Sequence, residues 1–408
     1  MKLYDELKWR GLIKDVTSPE LEEKLNNEKL TFYIGTDPTA DSLHIGHLSS
    51  FLISKRLADY GHHPILLIGG ATGRIGDPRP TTEREMKPVS EIENNIKCLT
   101  KQVKELFGFE VVNNYDWSKD INFIDFLRDY GKFFNINYML DKDIIRRRLD
   151  TGITYTEFSY MIMQALDFLH LYEEKNCTLQ VAGSDQWGNI TAGVDLIRKK
   201  TGNEAYAFTM PLVTDSTGKK FGKSEGNALW LDESKTSSYE LYQFLINVED
   251  EKIIEYLKIY TFLTKEEIEK IEKEHFEKPE LRIAQKELAK SIITFLHGEE
   301  SYNRALFISE SLFSGNIKDL TKEEILTGFK GVPQFKFENS SILDLLVNND
   351  ICTSKREARE FIKSGAILIN GEKITDENTI VTDEMLHLGS LLIIRKGKKK
   401  YYLGIKGE

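Results

Sequence analysis

Cysteine is nearly absent: the 408 residues hold three, Cys98, Cys177 and Cys352, far apart in the chain. An odd, dispersed set builds neither a disulfide framework nor a thiolate metal centre, and leaves packing or surface roles for all three. Long apolar runs are missing too, since none approaches the roughly 18 residues a membrane helix needs. Met1-Lys2-Leu3-Tyr4-Asp5-Glu6-Leu7 is charged and helical in character, with no small-residue cleavage site after it, so a signal peptide is not expected. A cytoplasmic protein without membrane attachment is the expectation. The chain also lacks positive charge, with a formal net of −10, which excludes a wholly basic nucleic-acid binder. The deficit is uneven: residues 341–408 carry eleven Lys/Arg and ten Asp/Glu, leaving −11 on residues 1–340. Any RNA contact is therefore a local patch. Internal repeats and low-complexity tracts are absent.

What is present is a globular composition, 40% hydrophobic and 29% charged, in a chain long enough for two or three domains. From residue 30 to about 212, strand-like runs alternate with helical patterns, the signature of an α/β fold with a parallel sheet. The runs 32–34, 63–70, 178–182 and 207–211 read as strands, and helices are predicted at 44–60, near 90–107 and 122–131, and at 156–174. Residues 215–226 form a Gly-, Ser- and Lys-rich loop, expected to be mobile. From 237 to about 312 the pattern is helical throughout, with a Thr264-x-x-Glu267 capping box. Periodicity weakens over 313–340. Helices are then predicted at 341–348 and 354–364, and Asn370-Gly371 is a hairpin turn signal.

Two stretches carry chemistry. Tyr33 to His47 reads as strand, tight turn and helix N-terminus entered at Asp41-Ser42, where free N–H groups and the helix dipole attract anions. His44 and His47 lie on one face of the first turn and can donate to oxygens where charge develops. A glycine inside a helix costs about 1 kcal/mol relative to alanine, so Gly46 suggests close approach of something flat such as a nucleobase. Alternatively these are surface polar residues opening an amphipathic helix. Lys220-Phe221-Gly222-Lys223-Ser224 is either a solvated basic loop tip or a glycine-hinged loop able to bring two lysines onto a triphosphate.

These stretches, with Gly69-Gly70-Ala71-Thr72-Gly73, Gly76-Asp77-Pro78, Tyr160-x-x-x-Gln164-x-x-Asp167 and Ala182-Gly183-Ser184-Asp185-Gln186-Trp187-Gly188-Asn189, occur in the order found in bacterial tyrosyl-tRNA synthetases. The chain closely resembles that family over nearly its whole length. The resemblance implies a Rossmann-like catalytic domain at 1–226, an all-helical domain at 227–320, a linker at 321–340 and a small α+β S4-like RNA-binding domain at 341–408. It also implies the activity: L-tyrosine and ATP form tyrosyl-adenylate and pyrophosphate, and the tyrosyl group passes to the 3′ end of tRNA. Mg²⁺ would accompany ATP, with no protein metal site. A homodimer is expected.

Carried over residue by residue, the resemblance assigns Thr39, His44, Lys220 and Lys223 to the polyphosphate, joined by Arg84. His47 and Ser50 face the nucleoside, Asp185 the ribose, and Gly35, Asp37 and Gly46 shape the ATP corner. Asp77, Tyr160 and Gln164 hold the substrate ammonium, and Gln186 sits near its carboxyl group. Tyr33 and Asp167 hydrogen-bond the phenol; a buried pair left unsatisfied by phenylalanine gives discrimination without editing, for which this enzyme family is a standard example. Three departures from the pattern stand out, of which Gly35-Thr36 is an ordinary variation of the turn. Ile34 replaces a small polar residue near the ribose, and Thr81 stands where some relatives have a lysine.

Lys355, Arg356, Arg359 and Lys363 line an S4-like helix face suited to a phosphate backbone, near the Lys396 to Lys400 cluster. Arg146, Arg147 and Arg148 fit either a phosphate contact or a structural salt bridge. Tryptophanyl-tRNA synthetase is the nearest alternative, disfavoured because an indole cannot satisfy Tyr33 and Asp167. A catalytically inert synthetase-like RNA binder is disfavoured by the intact His and Lys motifs.

Overall fold

The computed structural model describes the chain except residues 79–84, 225–226, 315–316, 318, 398–399 and 408. It divides into two compact units, residues 1–236 with 246–292, and residues 237–245 with 293–408.

The first unit is built on a six-stranded sheet of β1 (Asp15–Val16), β2 (Thr31–Thr36), β3 (His63–Ile68), β4 (Glu110–Asn113), β5 (Cys177–Gly183) and β6 (Tyr206–Met210), ordered β1-β6-β5-β2-β3-β4. β2 to β6 run parallel and β1 is antiparallel at the edge. Their apolar runs, Phe32-Tyr33-Ile34 and Ile65-Leu66-Leu67-Ile68, are buried, as expected of parallel strands covered on both faces. The order reverses between β2 and β5, so the carboxyl ends of these neighbours flank the crevice where such sheets bind ligands. Helices Ile45–Asp59, Val89–Phe107, Phe123–Asp129 and Tyr155–Lys175 match the predicted positions, and a further helix, Trp187–Thr201, follows β5. β4 was not legible, because Glu110-Val111-Val112-Asn113 is too short to show a period. Among the described residues no helix is long and apolar enough to cross a membrane.

Helices fill 238–314 as read from periodicity, and the Thr264/Glu267 capping box is formed. The contact division nevertheless groups 246–292 with the first unit and 293–314 with the second. In the second unit a five-stranded sheet takes the order Glu372–Lys373, Ile367–Ile369, Leu391–Lys396, Lys400–Lys406, Gln334–Phe337. The hairpin turn at Asn370-Gly371 has both residues at positive φ, 47° and 85°, the type I′ geometry its sequence predicts. The expected linker is different. Residues 321–340 contain the helix Lys322–Gly328 and the edge strand Gln334–Phe337, and Ile325 and Phe329 enter a core with Leu391, Ile393 and Leu403. The signal was Thr321-x-x-Glu324, a capping box as complete as the one at Thr264.

Candidate active site

The site is assembled from the segments that leave β2, β3, β4 and β5 at their carboxyl ends. After β2 the chain turns at Asp37-Pro38, where Thr39 is exposed and its N–H donates to the Asp37 carbonyl at 2.8 Å. The helix starts at Ile45, not at Asp41-Ser42, with His44 as N-cap. His44 Nδ1 accepts from the Gly46 N–H at 3.1 Å, and His47 Nδ1 accepts from the His44 N–H at 3.3 Å. The Ile45 N–H donates to Leu229 O and the His47 N–H to His44 O. The expected row of free N–H groups is thus already engaged by protein acceptors. Because both rings accept at Nδ1, the neutral imidazoles carry their proton on Nε2, and the corner offers two ring donors instead of amides. Burial, with His44 and Lys220 nearby, lowers His47 to about 3, so it stays neutral at physiological pH. The ring centroids lie 3.9 Å apart. Gly46 is explained within the protein: a Cβ there would stand 2.9 Å from His44 Cε1.

The glycines after β3 serve close packing of side chains. A Cβ at Gly69 would fall 2.0 Å from Asp37 Oδ1, one at Gly70 2.1 Å from Asn113 Oδ1, and one at Gly73 2.8 Å from Pro38 Cδ. Their absence lets a polar chain cross the crevice. Tyr160 Oη donates to Asp37 Oδ2 at 2.9 Å, and Thr72 Oγ1 donates to Asp37 Oδ1 at 2.7 Å. Asn114 Nδ2 donates to Thr72 Oγ1 at 3.1 Å and to Asp167 Oδ2 at 2.9 Å, while Trp117 Nε1 donates to Asp167 Oδ1 at 2.9 Å. Asp167 is buried, and burial pushes its carboxyl up to about 7 against those two donors.

Tyr33 is buried, and its hydroxyl has no hydrogen-bond partner among the described residues. Burial and the nearby Asp167 hold that phenol far above the ordinary tyrosine range. Gln180 faces Tyr33 in register across β2 and β5, and its buried Oε1 is likewise unpartnered. In-register neighbours on adjacent strands share a face, so both unsatisfied side chains project from the same side of the sheet, Tyr33 beside Asp167, and a buried unpartnered polar atom suits a polar atom of a ligand. Across the crevice, Asp77 accepts from Gln186 Nε2 at 2.9 Å and Asn189 Nδ2 at 3.3 Å. Burial and the carboxylates of Asp37 and Asp77 raise Tyr160 well above its usual range. Gln164 is half-buried on the 155–175 helix. Asp185 is exposed just past β5, in the 3₁₀ turn Ser184–Gln186.

The lysine loop sits against the same corner. Gly222 has φ of 87°, and a Cβ there would overlap Ile45 Cγ2 at 1.7 Å. Phe221 is buried, and its N–H donates to Val213 O at 3.0 Å. In its described part, Phe221 packs this Gly-, Ser- and Lys-rich loop against the protein. Lys220 is exposed, near enough to act on His47. Only backbone is described at Lys223, and Arg84 and Thr81 lie outside the described residues.

Comparison with known proteins places this geometry. Residues 25–314 match the family model for class I tRNA synthetases (W and Y), and residues 324–404 match that of the tyrosine–tRNA ligase SYY-like C-terminal domain. Tyrosine–tRNA ligase 2 of Bacillus cereus is 51% identical over 99% of this chain and 99% of its own length. The chain belongs to the tyrosine–tRNA ligase family. Two solved relatives of this family, the C-terminally truncated mitochondrial tyrosyl-tRNA synthetases of Aspergillus nidulans and Coccidioides posadasii, superpose with TM-scores of 0.69 and 0.67 at 32% and 30% identity. They cover 76% and 75% of this chain, and 94% and 91% of their own.

Within this tyrosine–tRNA ligase, the structure brings together Tyr33, Asp37, Asp77, Tyr160, Asp167 and Gln186 in one group, and His44, His47 and Lys220 in another. Motif reading missed Thr72, Asn114, Trp117, Gln180 and Asn189. Thr72 and Asn189 stood inside motifs already singled out; Asn114 and Trp117 follow the unrecognised β4. Of the arginine cluster, Arg148 is structural: it is buried and paired bidentately with Glu157 at 3.2 and 2.9 Å. Arg146 is exposed and paired with Asp141.

Proposed function

We infer that this tyrosine–tRNA ligase activates L-tyrosine with ATP to tyrosyl-adenylate and pyrophosphate, then transfers the tyrosyl group to the 3′ end of tRNA(Tyr). The observation that carries the reading is the unpartnered Tyr33 hydroxyl in a buried crevice beside Asp167. A phenolic O–H can accept from Tyr33 and donate to a remaining lone pair of Asp167, whose oxygens already take Asn114 and Trp117; phenylalanine leaves the Tyr33 hydroxyl unsatisfied, at a cost of about 1–3 kcal/mol. Asp77, Tyr160, Gln164 and Gln186 line the ammonium and carboxyl end.

The tyrosine carboxylate attacks the α-phosphate in line, so the enzyme positions the reactants and stabilises charge. His44 and His47 donate from Nε2, and Lys220, Lys223, Thr39 and Arg84 gather the polyphosphate. Ser50, Gly35, Gly46 and Asp185 complete the nucleoside side. Mg²⁺ arrives with ATP as charge neutraliser; Asp37 and Asp77 are already engaged by protein donors, which favours phosphate oxygens and water as its ligands.

The second unit is read as an S4-like RNA-binding module behind a helical segment, with Lys355, Arg356, Arg359 and Lys363 toward tRNA. All four are exposed on the helix Lys355–Lys363. A homodimer is supported by an apolar patch of Phe123, Ile124, Leu127 and Ile136, each 45–65% exposed. The reaction belongs to the cytoplasm. Tyrosine-dependent ATP–pyrophosphate exchange tests the assignment: exchange with tyrosine and not with phenylalanine or tryptophan is expected, and its absence with tyrosine would sink the reading.

A further inference from the structure

Phe221, the aromatic residue inside the lysine loop, packs against two tyrosines of the helix Asp250–Tyr260 whose own rings lie 6.3 Å apart. Its ring centroid is 4.2 Å from that of Tyr256 and 5.4 Å from that of Tyr260, and both tyrosines are buried. Tyr256 Oη also donates to Thr214 O at 2.9 Å, and Thr214 bridges to Lys220 in the backbone. One tyrosine thus grips the loop twice, by ring contact at Phe221 and by hydrogen bond at its entry.

The helix that does this is itself fastened to the histidine corner. Arg10 donates to Lys258 O at 2.9 Å and to Leu263 O at 2.6 Å. Arg56, on the helix Ile45–Asp59 capped by His44, donates to Thr261 O at 2.7 Å, and Glu6 bridges both arginines at 2.8 and 3.1 Å. Leu229 completes a second tie, its N–H on Gly222 O and its carbonyl on the Ile45 N–H. Both nucleotide motifs therefore hang from one rigid pair of helices.

We propose that Tyr256 and Tyr260 are positioning residues for adenylate formation: they hold Phe221 so that Lys220 stands opposite His44 and His47. The role rests on the reading of Lys220 as a polyphosphate contact. Charge stabilisation falls steeply when a donor is displaced by an ångström, and the Phe221 ring is the buried side-chain anchor next to Lys220, added to the backbone ties at Val213 and Leu229.

The test uses the full-length enzyme with Tyr256→Phe, Tyr256→Leu and Phe221→Leu, read by trypsin cleavage after Lys219 or Lys220 and by pyrophosphate exchange. Tyr256→Phe deletes one hydrogen bond and should raise cleavage and lower the exchange kcat about fivefold. The two Leu variants should exceed roughly tenfold in both, with KM for tyrosine unchanged in all three. Parent-like cleavage in Tyr256→Leu would overturn the proposal, as would faster cleavage with unchanged kcat, or a rise in tyrosine KM matching the fall in kcat. Lys220→Ala separates the two layers. Its loss of exchange beside parent-like cleavage in Tyr256→Leu would remove the positioning role alone, whereas parent-like exchange in Lys220→Ala would remove the reading beneath it as well.

Discussion

Asn114 donates both hydrogens of its side-chain amide across the crevice, one to Asp167 Oδ2 at 2.9 Å and one to Thr72 Oγ1 at 3.1 Å, while its own oxygen accepts from the Ala71 N–H at 2.7 Å. It is fully buried. A single side chain thereby sets the carboxylate beside Tyr33 relative to the turn that carries Asp37.

Asn114→Ala should consequently weaken the amino-acid side of the reaction more than the nucleotide side. Leaving Asp167 Oδ2 without its donor costs about 1–3 kcal/mol, equivalent to roughly tenfold to hundredfold in kcat/KM for tyrosine. Exchange kinetics at varied tyrosine and varied ATP check this; an equal rise in both KM values would contradict it.

Asp167 gives the unliganded protein a pH signature. Its folded carboxyl titrates near 7 against an ordinary 3.8, so the folded state holds the proton more tightly. The resulting stabilisation is complete below about 4 and is lost as pH rises through about 7, with a slope of at most about 1.4 kcal/mol per pH unit. His47, held near 3 against an ordinary 6.5, works the other way: the unfolded chain binds its proton up to about 6.5, so this histidine makes stability rise with pH to that point and offsets Asp167 below it. Denaturant unfolding of the parent and Asp167→Asn between pH 5 and 8 isolates the carboxyl: the stability of the parent relative to the variant should fall as pH rises through about 7, and a constant difference would contradict the shift.

Gly222 and Gly218 separate steric overlap from backbone strain. Both have positive φ, 87° and 83°, but only at Gly222 would a Cβ meet Ile45 Cγ2, at 1.7 Å; at Gly218 nothing lies within 4 Å. Gly218→Ala should cost about 1 kcal/mol. Gly222→Ala should push the loop off Ile45 and depress pyrophosphate exchange by more than tenfold. Thermal unfolding and exchange measured on the two variants distinguish them.

The arginines differ by burial alone. Arg148→Met strands the buried Glu157 and should lower unfolding free energy by about 3–5 kcal/mol, whereas Arg146→Ala, exposed, should change it by less than about 0.5 kcal/mol. Urea denaturation reads both.

Neutralising Arg356, Arg359 and Lys363 to Gln should spare pyrophosphate exchange, weaken tRNA charging and flatten its salt dependence. Their partners in the structure are surface carboxylates, Glu360 at 3.5 Å for Arg356 and Glu377 at 3.7 Å for Arg359, weak pairs that a phosphate backbone can replace. Charging measured at two salt concentrations decides it.

The strands and helices that position the site were legible wherever an apolar run or a helical period was long enough. β2, β3 and β5 and the 45–59 and 155–175 helices fall where the pattern put them. β4 and the edge strand Gln334–Phe337 were not legible, because four residues carry no measurable period and their pairing partners are distant in sequence. The same limit hid Asn114 and Trp117: a polar residue after an unrecognised strand has no local feature that marks it.

The sequence by itself determined the family, the order of the motifs and the residue types at the histidine corner, since these depend on local spacing. It also carried the turn at Asn370-Gly371, which needs only two residues able to adopt positive φ. Tertiary structure alone decided how the corner works. The helix N–H groups are taken by His44, His47 and Leu229, the loop is anchored by Tyr256 and Tyr260, and Asp167 is fixed by two donors some 50 residues away. Hydrogen bonds and burial at that separation follow from the packing of the folded chain, which no local pattern encodes.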